Sequence, residues 1–343
     1  MPSIDETLGQ YSELFILLAA MAFTVAFIAF CWDLATSSKT IRAVENRLAE
    51  ERAAQKVPAA VGAGGAPAEA GSGQEVSFEM ADESMDYGSE RRNAARIGVA
   101  VSILATLILA AGVVSRGIAA HRVPWGNMYE FCTTGALVVA LVYLVALVKK
   151  DLRFLGSFVI GLVVIMLCAA AIGFPTPVAH LVPALQSYWL IIHVSVAVIA
   201  SALFTLTFAM SVLQLMQSGR EARARAGQKD RLAFMRLAPS ALTLENVAYR
   251  INAVAFVLWT FTLMAGAIWA EKAWGRYWGW DTKEVWTFVI WVVYAGYLHA
   301  RATRGWTGTR AAWLSIVGYL CVIFNFTIVN VFFSGLHSYS GIQ

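Results

Sequence analysis

Three tryptophans, one tyrosine and one aspartate fall within eight residues, Trp274-Gly275-Arg276-Tyr277-Trp278-Gly279-Trp280-Asp281, with Glu284 and Trp286 close behind. Side chains of these types make a flat, mostly apolar platform with one anionic edge, a surface suited to a large planar ligand. Three histidines share this half of the chain: His193 before the platform, His299 and His337 after it. Imidazole is a standard axial ligand of haem iron. Platform and histidines together read as a non-covalent haem site. A belt of Trp and Tyr at a membrane boundary has the same composition, and at this level the two readings stand side by side.

The elements that must position these residues are membrane helices. The chain is 59% hydrophobic and 14% charged, far from the averages of soluble domains. Eight apolar runs, at 14–32, 97–114, 128–148, 154–174, 188–216, 251–270, 285–300 and 311–333, approach or exceed the roughly 20 residues that cross a hydrocarbon core. The expected fold is all-α, a polytopic membrane bundle of about eight helices. The first run follows an acidic leader and lacks a small-residue cleavage site at Cys31-Trp32-Asp33, so it reads as a retained helix rather than a signal peptide. The connections around 35–96, 149–153, 217–250 and 301–310 hold 21 of the 26 Lys and Arg, against five on the other side: Arg116, Arg122, Lys272, Arg276 and Lys283. Basic residues favour the cytoplasmic side. Both termini and the Trp-rich loop, 270–284, are therefore expected to face outward.

This frame sorts the histidines by depth. His193 lies five residues into the fifth run, within ~10 Å of the outer boundary. His337 follows the eighth run by four residues, on the same side. The two are placed to approach each other beneath the Trp loop. His299 lies about 15 residues into a run that starts outside, ~22 Å down, and an ionisable group at that depth is a functional candidate by default. His121 and His180 fall in outward loops and read as surface residues, with His180 held among Pro175, Pro177 and Pro183 as a minor ligand candidate. Glu130 starts the third run, either interfacial or bonded to loop backbone. Asn252, Asn325 and Asn330 read as interhelical hydrogen-bonding residues. Haem carries two propionates, so Arg122, Lys272, Arg276 and Lys283 are either their partners or simple surface charges.

Other features narrow the class. Cys31, Cys132, Cys168 and Cys321 each stand alone inside an apolar run, without C-x-x-C or C-x-x-C-H, so neither a redox dithiol nor covalent haem attachment is supported. Residues 59–73 are rich in Ala and Gly and are followed by acidic residues, a linker composition. Residues 35–54 read as helix. The organisation expected is a transmembrane helix (1–34), a cytoplasmic helix and disordered linker (35–93) and a seven-helix haem-handling domain (94–343). The basic stretch 218–250 reads as a solvated face beside anionic lipid, with no nucleic-acid role.

The residues from Trp274 to Asp281, with Lys283, Glu284 and Trp286, resemble the "WWD" signature of haem-handling proteins in cytochrome c biogenesis. Gly126-Asn127-Met128-Tyr129-Glu130 resembles an N-x-Y-E element. Residues 185–194, 297–301 and 336–339, carrying His193, His299 and His337, resemble the first external-histidine, the membrane-histidine and the second external-histidine segments. In that order they resemble the CcsA/ResC family of the System II pathway over roughly residues 95–343. Thr282 departs from the Pro that is usual after the Asp.

The resemblance implies that His193 and His337 ligate a transient b-type haem held against Trp274, Gly275, Tyr277, Trp278, Trp280, Asp281, Glu284 and Trp286. It implies that His299 serves a second, membrane haem whose other ligand comes from a ResB/Ccs1-type partner, consistent with the absence of a second deep histidine here. Haem would then pass to the C-x-x-C-H of an apocytochrome c, its cysteines kept reduced by a thioredoxin-like protein. The chain would be the haem-binding subunit of a cytochrome c synthase, with positioning rather than acid–base chemistry as its contribution. Ala-, Arg- and Val-rich usage favours a bacterial plasma membrane over a thylakoid. A haem-b electron-transfer subunit, a non-haem transporter with an interfacial Trp loop, and the System I relative are the competing readings.

Overall fold

The backbone's N–H and C=O groups find no partners in hydrocarbon, so an apolar run of membrane length must satisfy them internally, as a helix. The computed structural model describes residues 3–55, 85, 87, 92–303 and 305–337, and among these there is no strand. The helices are α1 (Glu6–Gln55), α2 (Asn93–Ala119), α3 (Met128–Lys149), α4 (Gly156–Cys168), α5 (Tyr188–Arg225), α6 (Ala241–Trp274), α7 (Thr282–Ala302), α8 (Thr309–Phe326) and α9 (Ile328–Phe332).

Seven helical segments are long and apolar enough to cross a membrane. The chain is an all-α polytopic membrane bundle. The eighth expected span, 285–300, lies in α7, whose 21 residues reach ~31 Å. Its aromatic and charged content leaves it less apolar than the other seven. It is also the helix that carries Glu284 and His299.

Several boundaries differ from the hydropathy runs. α1 does not stop after Trp32 but continues to Gln55, since nothing between them is Gly or Pro and strong helix formers follow one another. α5 likewise outruns its apolar stretch and ends at Arg225. The fourth run breaks into a 3₁₀ turn (Arg153–Leu155), α4 and a π turn (Ala169–Gly173). The linker expected at 59–73 lies outside the described residues.

Two packed centres organise the bundle. Phe23 and Phe30 of α1, Leu109 of α2, Tyr143 of α3 and Ile160 of α4 fill the first, and the ion pair of Arg92 with Asp33 ties α2 to α1. Phe204 of α5, Trp259 of α6, Tyr294 of α7 and Tyr319 of α8 fill the second. There the Phe204 and Tyr294 rings stack at 3.8 Å. Asn252 joins three helices, accepting from Thr207 Oγ1 (2.7 Å) and donating to Ser315 Oγ (3.1 Å), the interhelical role expected of it. At the far end, Arg301 pairs with Glu245, whose Oε2 accepts from Gly308 N. The basic connection after α5 is partly tied down: Arg220 and Arg236 both bond Asp230, and a 3₁₀ turn at Ala233–Leu237 buries Met235. The aromatic site lies at the opposite end, where α6 meets α7.

Candidate haem site

The Trp loop is built by its two flanking helix ends. α6 closes on Gly275, whose φ of +70° and N–H to Glu271 O (2.8 Å) form a left-handed cap that only Gly adopts without strain. α7 opens on a reciprocal capping box: the Asp281 side chain accepts from the Glu284 N–H, and Glu284 Oε2 accepts from Asp281 N (3.1 Å). Glu284 Oε2 also accepts from Gly279 N (2.8 Å), so this carboxylate holds the loop backbone. Thr282 is the first residue of α7, where Pro is equally at home, and its N–H also stabilises the Asp281 carboxylate. Trp280 takes φ +58° and stands 79% exposed. A non-glycine residue in that region costs about 1–3 kcal/mol and recurs at functional loops.

Beneath the loop the two outer histidines share one aromatic neighbour, Trp269 of α6. His193 of α5 stacks on it at 5.9 Å, and His337 meets its edge at 5.5 Å. Trp274 packs edge-on against both His337, at 4.9 Å, and Trp269, at 4.7 Å. His193 Nδ1 is 2.9 Å from Thr262 O, and His337 Nδ1 is 2.8 Å from Asp281 Oδ2. A carbonyl and a carboxylate only accept, so each Nδ1 carries the proton and donates. In the neutral form of each imidazole this leaves Nε2 with its lone pair. Metal-binding histidines are oriented by this arrangement. The hydrogen bond from His337, helped by the main-chain N–H groups of His337 and Thr282, holds the Asp281 carboxyl below its usual range. Two glycines make room for these contacts. A Cβ on Gly266 would sit 2.7 Å from His193 Cε1, and one on Gly335 would sit 2.3 Å from Asp281 Oδ1.

Both imidazoles open into unfilled space. An inner cavity of about 780 Å3, partly open to the outside, is walled by α3, α5, α6, α7, α8, α9 and the C-terminal tail. An outer one of about 480 Å3 reaches Tyr277, Trp278 and Glu284. The two meet at His193, Thr262, Trp269, Lys283, Thr287 and His337. Both volumes include space open to solvent. Among the described residues no group of three His, Cys, Asp or Glu is arranged for a bare metal ion.

The remaining expected residues are spread around this centre. Gly275 and Trp280 belong to the exposed loop, with Trp280 edge-on to Trp278 at 5.8 Å. Trp286 packs on Phe324 at 4.3 Å, toward α8. His299 is exposed in the last turn of α7, roughly 24 Å along the helix from Lys283. His121 and His180 are exposed. Glu130 is fully buried and accepts from Arg116, from both Nη atoms of Arg122 and from Gly126 N. These arginines in turn hold the carbonyls of Thr176 and Ala179, so Glu130 anchors loop backbone. Asn325 and Asn330, read from sequence as interhelical, line the inner cavity as well. Trp125, Thr262, Gly266 and Trp269 were not singled out in the sequence. A signal for three of them exists, because 262, 266 and 269 fall on one face of α6.

The family described as cytochrome c assembly protein matches residues 125–337, which contain His193, His337, the Trp loop and every residue lining the two cavities. The cytochrome c biogenesis protein CcsA of Guillardia theta is 35% identical over 266 residues, 72% of this chain and 87% of the relative. The protein of the same name from Synechococcus elongatus is 34% identical over 282 residues, 71% of this chain and 87% of the relative. The chain belongs to the CcsA/ResC family of cytochrome c assembly proteins.

Proposed function

We propose that this integral membrane protein binds haem non-covalently between His193 and His337 and presents it to the C-x-x-C-H of apocytochromes c. The observation that carries the reading is the pair of Nδ1-anchored imidazoles facing the same cavities. A porphyrin already supplies four donors to its iron, so two imidazoles complete the set. Bound haem supplies two vinyl groups that become thioethers with the cysteines of the recipient. The residues here supply position: Thr262 and Asp281 fix the two rings, Trp269 and Trp274 wall them, and the loop with Tyr277 and Trp278 forms the outer rim. None of this needs a general acid or base.

His299 stands apart from both cavities on an exposed helix face. That placement supports a second, membrane haem position whose other ligand belongs to a ResB/Ccs1-type partner, in a complex that also draws on a thiol-reducing thioredoxin-like protein. The charge bias supports an outward loop and outward termini, and the Ala-, Arg- and Val-rich usage supports a bacterial plasma membrane. Maturation of a reporter cytochrome c in cells that contain the partner tests the assignment. His299→Ala is expected to abolish maturation, with partial recovery on adding imidazole, a base small enough to occupy the vacated position. His121→Ala and His180→Ala are expected to mature it normally. Normal maturation by His299→Ala with failure of His180→Ala would show that the wrong histidines have been chosen.

A further inference from the structure

Four outward basic residues were open in the sequence as partners for a carboxylate-bearing ligand, and the structure disposes of three. Arg122 spends its guanidinium on Glu130 and on the carbonyls of Val123 and Ala179. Lys272 is 60% exposed and pairs with Glu271 at 2.9 Å. Arg276 is exposed and lies over Gly279 in the loop. Lys283 alone faces both cavities.

Asp281 acts on it electrostatically through space, without forming an ion pair. Lys283 Nζ donates to Asn330 Oδ1 at 2.7 Å and sits 5.3 Å from the centre of the Phe326 ring, and no carboxylate pairs with it among the described residues. An ammonium carries three N–H donors, and a cation drawn out of water is costly unless paired. A second feature of the same cavity points the same way. The indole N–H of Trp125 is buried without an acceptor and belongs to the inner wall. The other unsatisfied wall atom, Asn325 Oδ1, is an acceptor and does not address an anion. The acidic groups nearby are engaged: Asp281 with His337, and Glu284 with the loop backbone.

We propose that Lys283 and Trp125 form a carboxylate subsite in the inner cavity, the place where a propionate of the ligand is held. This rests on the haem reading of the cavity. The consequence is a direction: with the carboxylate edge drawn inward, the vinyl-bearing edge is turned toward Tyr277 and Trp278, the side from which a recipient polypeptide arrives.

The test compares haem with its dimethyl ester, which keeps the iron and vinyls and lacks free carboxylates. Soret titrations of the purified full chain in detergent read the affinity of each. The wild-type protein is expected to prefer haem to the diester by roughly tenfold or more, the range of a charge-assisted hydrogen bond. Lys283→Gln and Trp125→Phe are each expected to reduce that preference while the diester binds as before, and Lys283→Arg to retain it. Equal affinities in the wild-type protein, or equal losses for both ligands in Lys283→Gln together with wild-type preference in Trp125→Phe, would overturn the subsite and leave the haem reading standing. A wild-type protein with no histidine-ligated haem spectrum would overturn the reading and the subsite with it.

Discussion

Asp281 does two jobs that one substitution separates. It caps α7 and it orients His337 through Nδ1. Asn caps a helix as well as Asp does but offers no charge to the imidazole. Asp281→Asn is therefore expected to leave the thermal melt within ~1 °C of wild type while weakening haem binding roughly 10–100-fold, measured by spectral titration. A large drop in melting temperature with unchanged affinity would refute this division. Gly266→Ala tests the other ring. Its methyl meets the His193 imidazole at 2.7 Å, so the ring must leave its place over Trp269, at about 1–3 kcal/mol in stability and with loss of the His193-dependent spectrum. Unchanged spectra would mean that the socket is not needed. The residue types that do this chemistry were legible because Trp and His are rare and their clustering is visible in one dimension. The socket was not: Gly266 and Trp269 sit in an apolar run that looks like any other, and only the pairing of α5 with α6 gives them a purpose.

At the scale of elements, hydropathy located each helix and misplaced its ends. It follows the solvent, whereas helix ends follow caps and breakers. α1 and α5 run past the apolar stretch because nothing stops them, and the fourth run fragments into 3₁₀, α and π turns. The clamp formed by Glu130, Arg116 and Arg122 was half legible. Glu130 was noticed, but its partners come from α2 and the following loop, 14 and 8 residues away in the chain. Removing one member of a buried ion cluster leaves uncompensated charge. Glu130→Ala is expected to cost about 3–5 kcal/mol and to raise amide exchange in the segment around Thr176 and Ala179, whose carbonyls the arginines hold. Wild-type exchange in that segment would show that the clamp does not anchor it.

At the scale of the whole molecule, the bundle has two unlike ends. One gathers His193, His337, the aromatic loop and the cavities. The other gathers basic connections and the Glu245–Arg301 pair. On the charge bias the first is expected to face outward, and reporter fusions after Gly219 and after Gln343 are expected to report opposite sides of the membrane. The same side for both would break the topology. His299 is exposed and far from the loop, so on the proposed function the isolated chain would be an incomplete unit for a membrane haem. Both ligands proposed for the other pocket, His193 and His337, belong to this one chain, so it is the part that purified protein can test alone. The most direct measurement is the visible spectrum of the full chain purified from haem-replete cells, beside His193→Ala, His337→Ala and His299→Ala. The expected result is a six-coordinate, low-spin haem in the wild-type protein and in His299→Ala, lost in His193→Ala and in His337→Ala and restored to each by added imidazole. The same low-spin spectrum in both His193→Ala and His337→Ala, without imidazole, would contradict it.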